Sequence, residues 1–213
     1  MTSPYRLGIF VLSLSFAMLA RADYINGIAW SVTPATAASA PTLGNTPGAG
    51  STEVATFSAN GIDFSGDGPG AYNLGGFLNS GGTAGNIVYM NGATAATDLN
   101  NTEWEFTGSA SFTNGEVFNV AHDDGVNMYI NGSPVLLDGG PTAPVTSTFT
   151  YSGPTGTYGF DFIYVECCGG TADFKTTLVP SSPTSSSPES STAILLSGGL
   201  LLLEPLRRRF RRS

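Results

Sequence analysis

The chain has 213 residues, 41% of them hydrophobic and 11% charged, and a formal net charge of −8. Its basic residues sit almost wholly at the two ends, so that between Asp23 and Val179 fourteen Asp and Glu face the single Lys175, a net −13. Phosphate neutralisation needs Lys and Arg, which excludes nucleic acid and an anionic lipid surface as partners; a divalent cation or a neutral polymer suits this field.

Residues 1–22 read as an export signal. Arg6 supplies the positive start, Leu7 to Leu19 a continuous hydrophobic region, and Ala20-Arg21-Ala22 an A-x-A site, so cleavage falls between Ala22 and Asp23. Residues 23–179 then suffice for one domain with a sizeable core. No stretch of it sustains an i, i+3, i+4, i+7 apolar pattern, and Gly, Ser, Thr and Asn punctuate it at short intervals. That pattern predicts an all-β fold, an antiparallel β-sandwich.

In chain order, residues 31–50 are rich in Ala, Pro, Thr and Gly and predict a long loop. Strands are expected at Val54–Phe57, Ile62–Phe64 and Ile87–Met90. Trp104, Phe106, Ala110 and Phe112 alternate along a further strand, with Gly108 between them. Val126, Met128 and Ile130 alternate along another, and Asn131-Gly132 turns it tightly into Val135 and Leu137, a hairpin signal. Tyr158, Phe160, Phe162 and Tyr164 line one face of a late strand. Ile163 and Val165 line its other face, which predicts a central position. Phe174, Thr176 and Leu178 form the closing strand.

The carboxyl-terminal part has three pieces. Residues 180–192 are a Ser/Pro/Thr-rich linker carrying Pro188-Glu189-Ser190. Residues 193–213 hold an apolar run from Ala193 to Leu203 and a cluster of Arg207, Arg208, Arg209, Arg211 and Arg212. As a helix the run spans only ~16 Å, against the ~30 Å of a bilayer core. Gly198-Gly199 and Glu204-Pro205 weaken it further, and the arginines would keep this end cytoplasmic. The arrangement resembles the PEP-CTERM sorting signal of bacteria that make extracellular polysaccharide, with Ser190 where that motif has its second proline. The resemblance implies transient membrane anchoring and recognition by an exosortase-type membrane protease. The destination it implies is the cell envelope, surface or extracellular matrix.

No catalytic constellation stands out. His122 is the only histidine, with no nucleophile motif beside it, and reads as structural; a zinc site lacks N and S ligands. Glu103 and Glu105 point the same way on a strand, opposite Trp104, and read as an exposed polar face instead of a glycosidase pair. An enzyme is therefore not expected. Export permits disulfides. Cys167 and Cys168 have Cα atoms ~3.8 Å apart, less than the ~4.4–6.8 Å of a relaxed bridge. Two readings stay open: a vicinal disulfide stiffening the bend to Gly170, or thiols that are free or paired between molecules.

Asp123-Asp124-Gly125 reads locally as a turn, because Asp side chains accept backbone N–H groups and Gly takes positive φ. The stretch from Phe118 through His122-Asp123-Asp124-Gly125 to Asn131-Gly132 resembles the centre of PA14-type β-sandwiches. Tyr164-Val165-Glu166 with Gly169-Gly170-Thr171-Ala172 resembles their closing strand pair. The likeness covers about residues 103–178, and residues 23–102 are similar only in general. In the sugar-binding members, two consecutive aspartates joined by a cis peptide coordinate Ca²⁺, and the ion ligates sugar hydroxyls. The resemblance thus implies Asp123 and Asp124 as calcium ligands, with Asn127 the nearest further oxygen donor. Calcium takes ~6–8 oxygens, so these two carboxylates are part of a site only. The function implied is a non-catalytic glycan-binding or adhesion-type module acting on envelope or extracellular polysaccharide. The alternative is a structural envelope or biofilm-matrix component without a ligand.

Overall fold

Eleven-residue runs that place aromatic residues at alternating positions build the two longest strands, which pair with each other over their whole length. They are β5 (Thr102–Phe112) and β10 (Gly156–Glu166), seen in a computed structural model that describes residues 25–68, 70–81 and 84–181. The expected export signal with its Ala22–Asp23 cleavage point, and Pro188, Glu189, Ser190, Arg207, Arg208 and Arg209, lie outside these residues. Among the described residues, no helix is long and apolar enough to cross a membrane.

The remaining strands are β1 (Ile25–Ser31), β2 (Thr52–Ala59), β3 (Asp63–Ser65), β4 (Gly85–Tyr89), β6 (Val117–His122), β7 (Val126–Ile130), β8 (Ser133–Asp138), β9 (Val145–Thr150) and β11 (Asp173–Thr176). They form a seven-stranded sheet in the order β4-β2-β1-β5-β10-β7-β8 and a four-stranded sheet in the order β3-β11-β6-β9. All pairings are antiparallel. The expected sandwich is thus present, and β10 is central, between β5 and β7. Asn131 and Gly132, both at positive φ, make the two-residue turn from β7 to β8; such turns match the right-handed strand twist.

The core lies between the sheets. Trp104, Phe106 and Phe112 of β5 and Phe162 and Tyr164 of β10 face Phe64 of β3, Phe118 of β6 and Phe174 of β11. Tyr164 stacks on Phe174 at 4.9 Å, and Phe106 meets Phe174 at the same distance. Each such buried ring contributes on the order of 2 kcal/mol through area alone, and edge and stacked contacts add to it. Leu178 is buried in this core but follows the end of β11 instead of belonging to it.

Two short helices were not expected. Helix α1 (Pro34–Ala37) starts at Thr33, whose hydroxyl caps the Thr36 N–H, and a 3-10 turn follows at Leu43–Asn45. Helix α2 (Leu74–Leu78) is capped by Asn73 and sends Leu74, Phe77 and Leu78 into the core. The stretch at 31–50, expected to be a loop, therefore has structure, and it covers the outer face of the larger sheet. Asn127 Nδ2 donates to the Ala40 and Pro41 carbonyls, Leu43 N–H to the Tyr129 hydroxyl, and Gly48 N–H to Glu103 Oε2 at 2.9 Å. A small second core of Trp30, Val32, Ala37 and Cys167 forms beneath it.

This cover overturns one expectation. Glu103 is fully buried, not on an exposed polar face, and its Oε1 has no hydrogen-bond partner. Desolvation raises the Glu103 pKa; the Gly48 N–H bond lowers it and the nearby Glu105 charge raises it. Asp161 on β10, opposite Thr107 and so diagonal to Glu105, is pushed up to about 7 by burial and by its interaction and hydrogen bond with Glu105.

The first and last described residues lie side by side. Ile25 lies opposite Gly108 on β5, and one residue further along the same edge Ser181 N–H donates to the Ser109 carbonyl at 2.7 Å.

Candidate ligand-binding cleft at the Asp-Asp-Gly turn

Strand β6 ends at His122 and β7 begins at Val126, so residues 123–125 must carry the chain from the smaller sheet to the larger one. Asp124 makes this possible with φ +64°, a left-handed conformation uncommon outside Gly and Asn. Gly125 follows because a Cβ there would collide with the backbone carbonyl of Gly139. The Asp123 N–H donates to the Asp173 carbonyl and Val165 N–H to the Gly125 carbonyl, tying the turn to β11 and β10.

His122 is fully buried behind the turn. Its Nδ1 donates to the Asp124 carbonyl at 2.6 Å, and its Nε2 lies 3.0 Å from the Ser147 hydroxyl. The structural role expected for it is the one it occupies.

Both carboxylates of the turn are engaged. Asp124 Oδ1 accepts from Thr142 N–H at 3.2 Å and Oδ2 from Cys167 N–H at 2.7 Å; Asp123 Oδ2 accepts from the Thr171 hydroxyl. Burial raises the Asp124 pKa, the two backbone donors lower it, and the Asp123 charge raises it again. Asp123 and Asp124 are 7% and 5% exposed, at the base of a cleft of ≈ 450 Å³. One wall is the Pro141–Pro144 segment and the other the Cys167–Thr171 bend.

That bend is joined across its first two residues: Cys167 and Cys168 form a disulfide in the structure. Cys167 is buried, whereas Cys168 is exposed with φ +65°, and Gly169 and Gly170 are also at positive φ. Three successive left-handed residues reverse the chain from β10 into β11.

The expectations from sequence divide here. Asp123, Asp124, Cys167 and Cys168 come together at one cleft. Asn127 does not line it; its amide is held on the outer face by residues 40 and 41. Nor is the peptide between the aspartates cis: among the described residues the one cis bond is Thr46–Pro47. Glu166 belongs to the neighbourhood although sequence marked it only as the end of a strand. It is 1% exposed and accepts from the Tyr72 hydroxyl at 2.7 Å and the Tyr164 hydroxyl at 2.6 Å. Burial pushes it up to about 8; the two tyrosine bonds lower it, while Asp124 and Asp123 raise it. Its Tyr72 partner, 94 positions away, left no local signal.

For a calcium ion the donor chemistry fits, since every side-chain donor at the turn is a hard oxygen. The acidic donors are few: among the described residues no group of three His, Cys, Asp or Glu could hold a metal ion. An ion here would draw on Asp123, Asp124 and Thr171, with its remaining oxygens from backbone carbonyls, water or ligand.

No family model matches the chain, and no curated protein matches it in sequence. Solved structures do resemble it. The PA14 sugar-binding domain from an RTX adhesin is 20% identical, with 75% of this chain and 90% of that one covered and a TM-score of 0.52. The PA14 domain of the MpAFP antifreeze protein is 23% identical, with 78% and 85% covered and a TM-score of 0.47. An anti-sigma factor domain-containing protein is 12% identical, with 76% and 43% covered and a TM-score of 0.44. The two-sheet order and the first of these likenesses together establish the fold, which is that of a PA14 domain.

Proposed function

We propose that the protein is an exported, non-catalytic glycan-binding module of the adhesion type, with the Asp123–Asp124 cleft as its ligand site. The observation that carries this reading is the convergence of two adjacent, nearly buried carboxylates at the base of an open cleft in a domain with net charge −13. Such a site attracts a divalent cation, and the cation can hold vicinal hydroxyls of a neutral sugar. Support comes from the fold it shares with a domain described as sugar-binding. In this reading Ca²⁺ is the cofactor and envelope or extracellular polysaccharide the partner. The sequence features of the two ends support export through the general secretory route and sorting by an exosortase-type protease.

Thermal unfolding with excess Ca²⁺ and then with EDTA tests it. An ion at 100 times its Kd stabilises by about 2.7 kcal/mol, so the midpoint should rise by several degrees, and Asp123→Asn should abolish the rise. Retention on immobilised polysaccharide should follow the same dependence. Indifference to calcium in both assays would sink the reading.

One observation favours a second reading, a structural envelope or biofilm-matrix component. Asp124 already satisfies both oxygens with backbone N–H groups, so the turn is complete without an ion. It predicts stability indifferent to EDTA.

A further inference from the structure

A second cleft lies at the other end of β7. That strand runs from Val126, beside the Asp-Asp-Gly turn, to Ile130. At ~3.4 Å per residue its ends are ~14 Å apart. Between the β7–β8 turn and the β9–β10 connection there is a cavity of ≈ 540 Å³, within the ~300–1,000 Å³ of small-molecule sites.

Its construction differs from that of the first cleft. No charged side chain lines it. Its floor is aromatic: Tyr151, 7% exposed, and half-buried Tyr158 lie with ring centroids 6.3 Å apart, both resting against Phe112 of the core. The Tyr151 hydroxyl donates to the Pro154 carbonyl at 3.0 Å, and Gly153 packs so closely on the Tyr151 ring that a Cβ would clash. Asn114 Nδ2 holds the Ser152 and Gly153 carbonyls at 3.0 Å each. The rings and the connection above them are thus fixed before any ligand arrives. Exposed Asn131, Ser133, Thr150 and Ser152 form a neutral hydrogen-bonding rim.

A fixed aromatic floor with an uncharged amide and hydroxyl rim matches a ring that has one apolar C–H face and an edge of hydroxyls. Anions are disfavoured by the domain's −13 charge, and cations find no carboxylate in the lining. We infer that the Tyr151–Tyr158 cleft is a second, calcium-independent site for a neutral saccharide, at the opposite pole from Asp123 and Asp124. The two sites would make the domain bivalent, able to join two glycan strands or two units of one strand.

Saturation-transfer NMR on the protein in EDTA tests this, with maltotriose, cellotriose and chitotriose as probes. The expected result is transfer to at least one of them, with affinity lowered tenfold or more by Tyr158→Ala. Ser152→Trp fills the cleft from its exposed rim and leaves the core alone; it should give the same loss, and it decides the matter if Tyr158→Ala fails to fold. Absence of transfer to all three in EDTA would overturn the inference. So would transfer that needs Ca²⁺, which assigns the sugar to the Asp123–Asp124 cleft, or transfer unchanged in both variants. Because EDTA silences only the calcium site, failure here and failure of the calcium reading are separate results.

Discussion

The imidazole Nδ1 of His122 holds the carbonyl oxygen of Asp124 at 2.6 Å, two residues ahead of it in the chain. This bond spans the point where the backbone enters the left-handed region at Asp124, and it braces the residue whose carboxylate joins both walls of the cleft. His122→Ala leaves that carbonyl unpaired beside a void. It should cost about 2 kcal/mol in chemical denaturation. It should also weaken calcium stabilisation more than an equally destabilising core substitution such as Phe162→Leu. Equal effects of the two variants would reduce His122 to ordinary packing.

Gly125 supplies a second test of the turn. An added Cβ meets the Gly139 backbone, which cannot yield as a flexible side chain would. Gly125→Ala should therefore destabilise by more than about 2 kcal/mol. Gly140→Ala, fifteen positions on, meets nothing within 4 Å and should stay within about 0.5 kcal/mol. Urea midpoints of the two variants settle the comparison.

The outer face predicts a pH dependence. Asp161 moves from its ordinary 3.8 to about 7 on folding, through burial and then Glu105. The folded state thus keeps a proton that the unfolded chain releases, and stability falls as pH rises through that window. Glu166, pushed up from 4.5 to about 8, acts in the same direction. Without calcium, the thermal midpoint should drop between about pH 5 and pH 8, and Asp161→Asn should flatten the drop. A midpoint that rises over this range would contradict the assignment.

The cysteines give a direct chemical prediction. With Cys167 and Cys168 bridged to each other, alkylation of the intact protein should add no mass until a reductant is present, and two adducts afterwards. Under denaturing conditions the covalent mass should be that of a single chain with or without the reductant. Adducts on the unreduced protein would restore the free-thiol reading.

What the sequence revealed follows from the range of the interactions involved. The strands of the central pair were legible because burial on one face writes a period of two into the residues themselves, as at Trp104, Phe106 and Phe112. The Asp-Asp-Gly turn was legible because its backbone demands unusual residue types. Helix α2 was not: five residues, Leu-Gly-Gly-Phe-Leu, are too few for a helical period, and two glycines suggest a turn. The cover over Glu103 was not legible either, since the contact with Gly48 spans 55 positions. Local alternation sees only that Glu103 lies opposite Trp104, and is blind to what another segment lays over it. The Thr142 and Thr171 contacts to the aspartates are of the same kind, made by segments that nothing nearby in sequence announces.

The side-by-side seating of Ile25 and Ser181 on β5 has a mechanical consequence. Tension applied at residues 25 and 181 would enter and leave the described domain at that one edge, so the rest of the sandwich would hang beside the thread as a pendant instead of forming a link in it. Both clefts then stay undistorted while the flanks are stretched. The first bonds to fail would be the few that hold residues 180 and 181 along β5, which peel one after another. Adjoining ends also make the unit tolerant of relocation. A short linker joining residues 25 and 181, with new ends opened at the exposed Gly140, should leave every strand in its register.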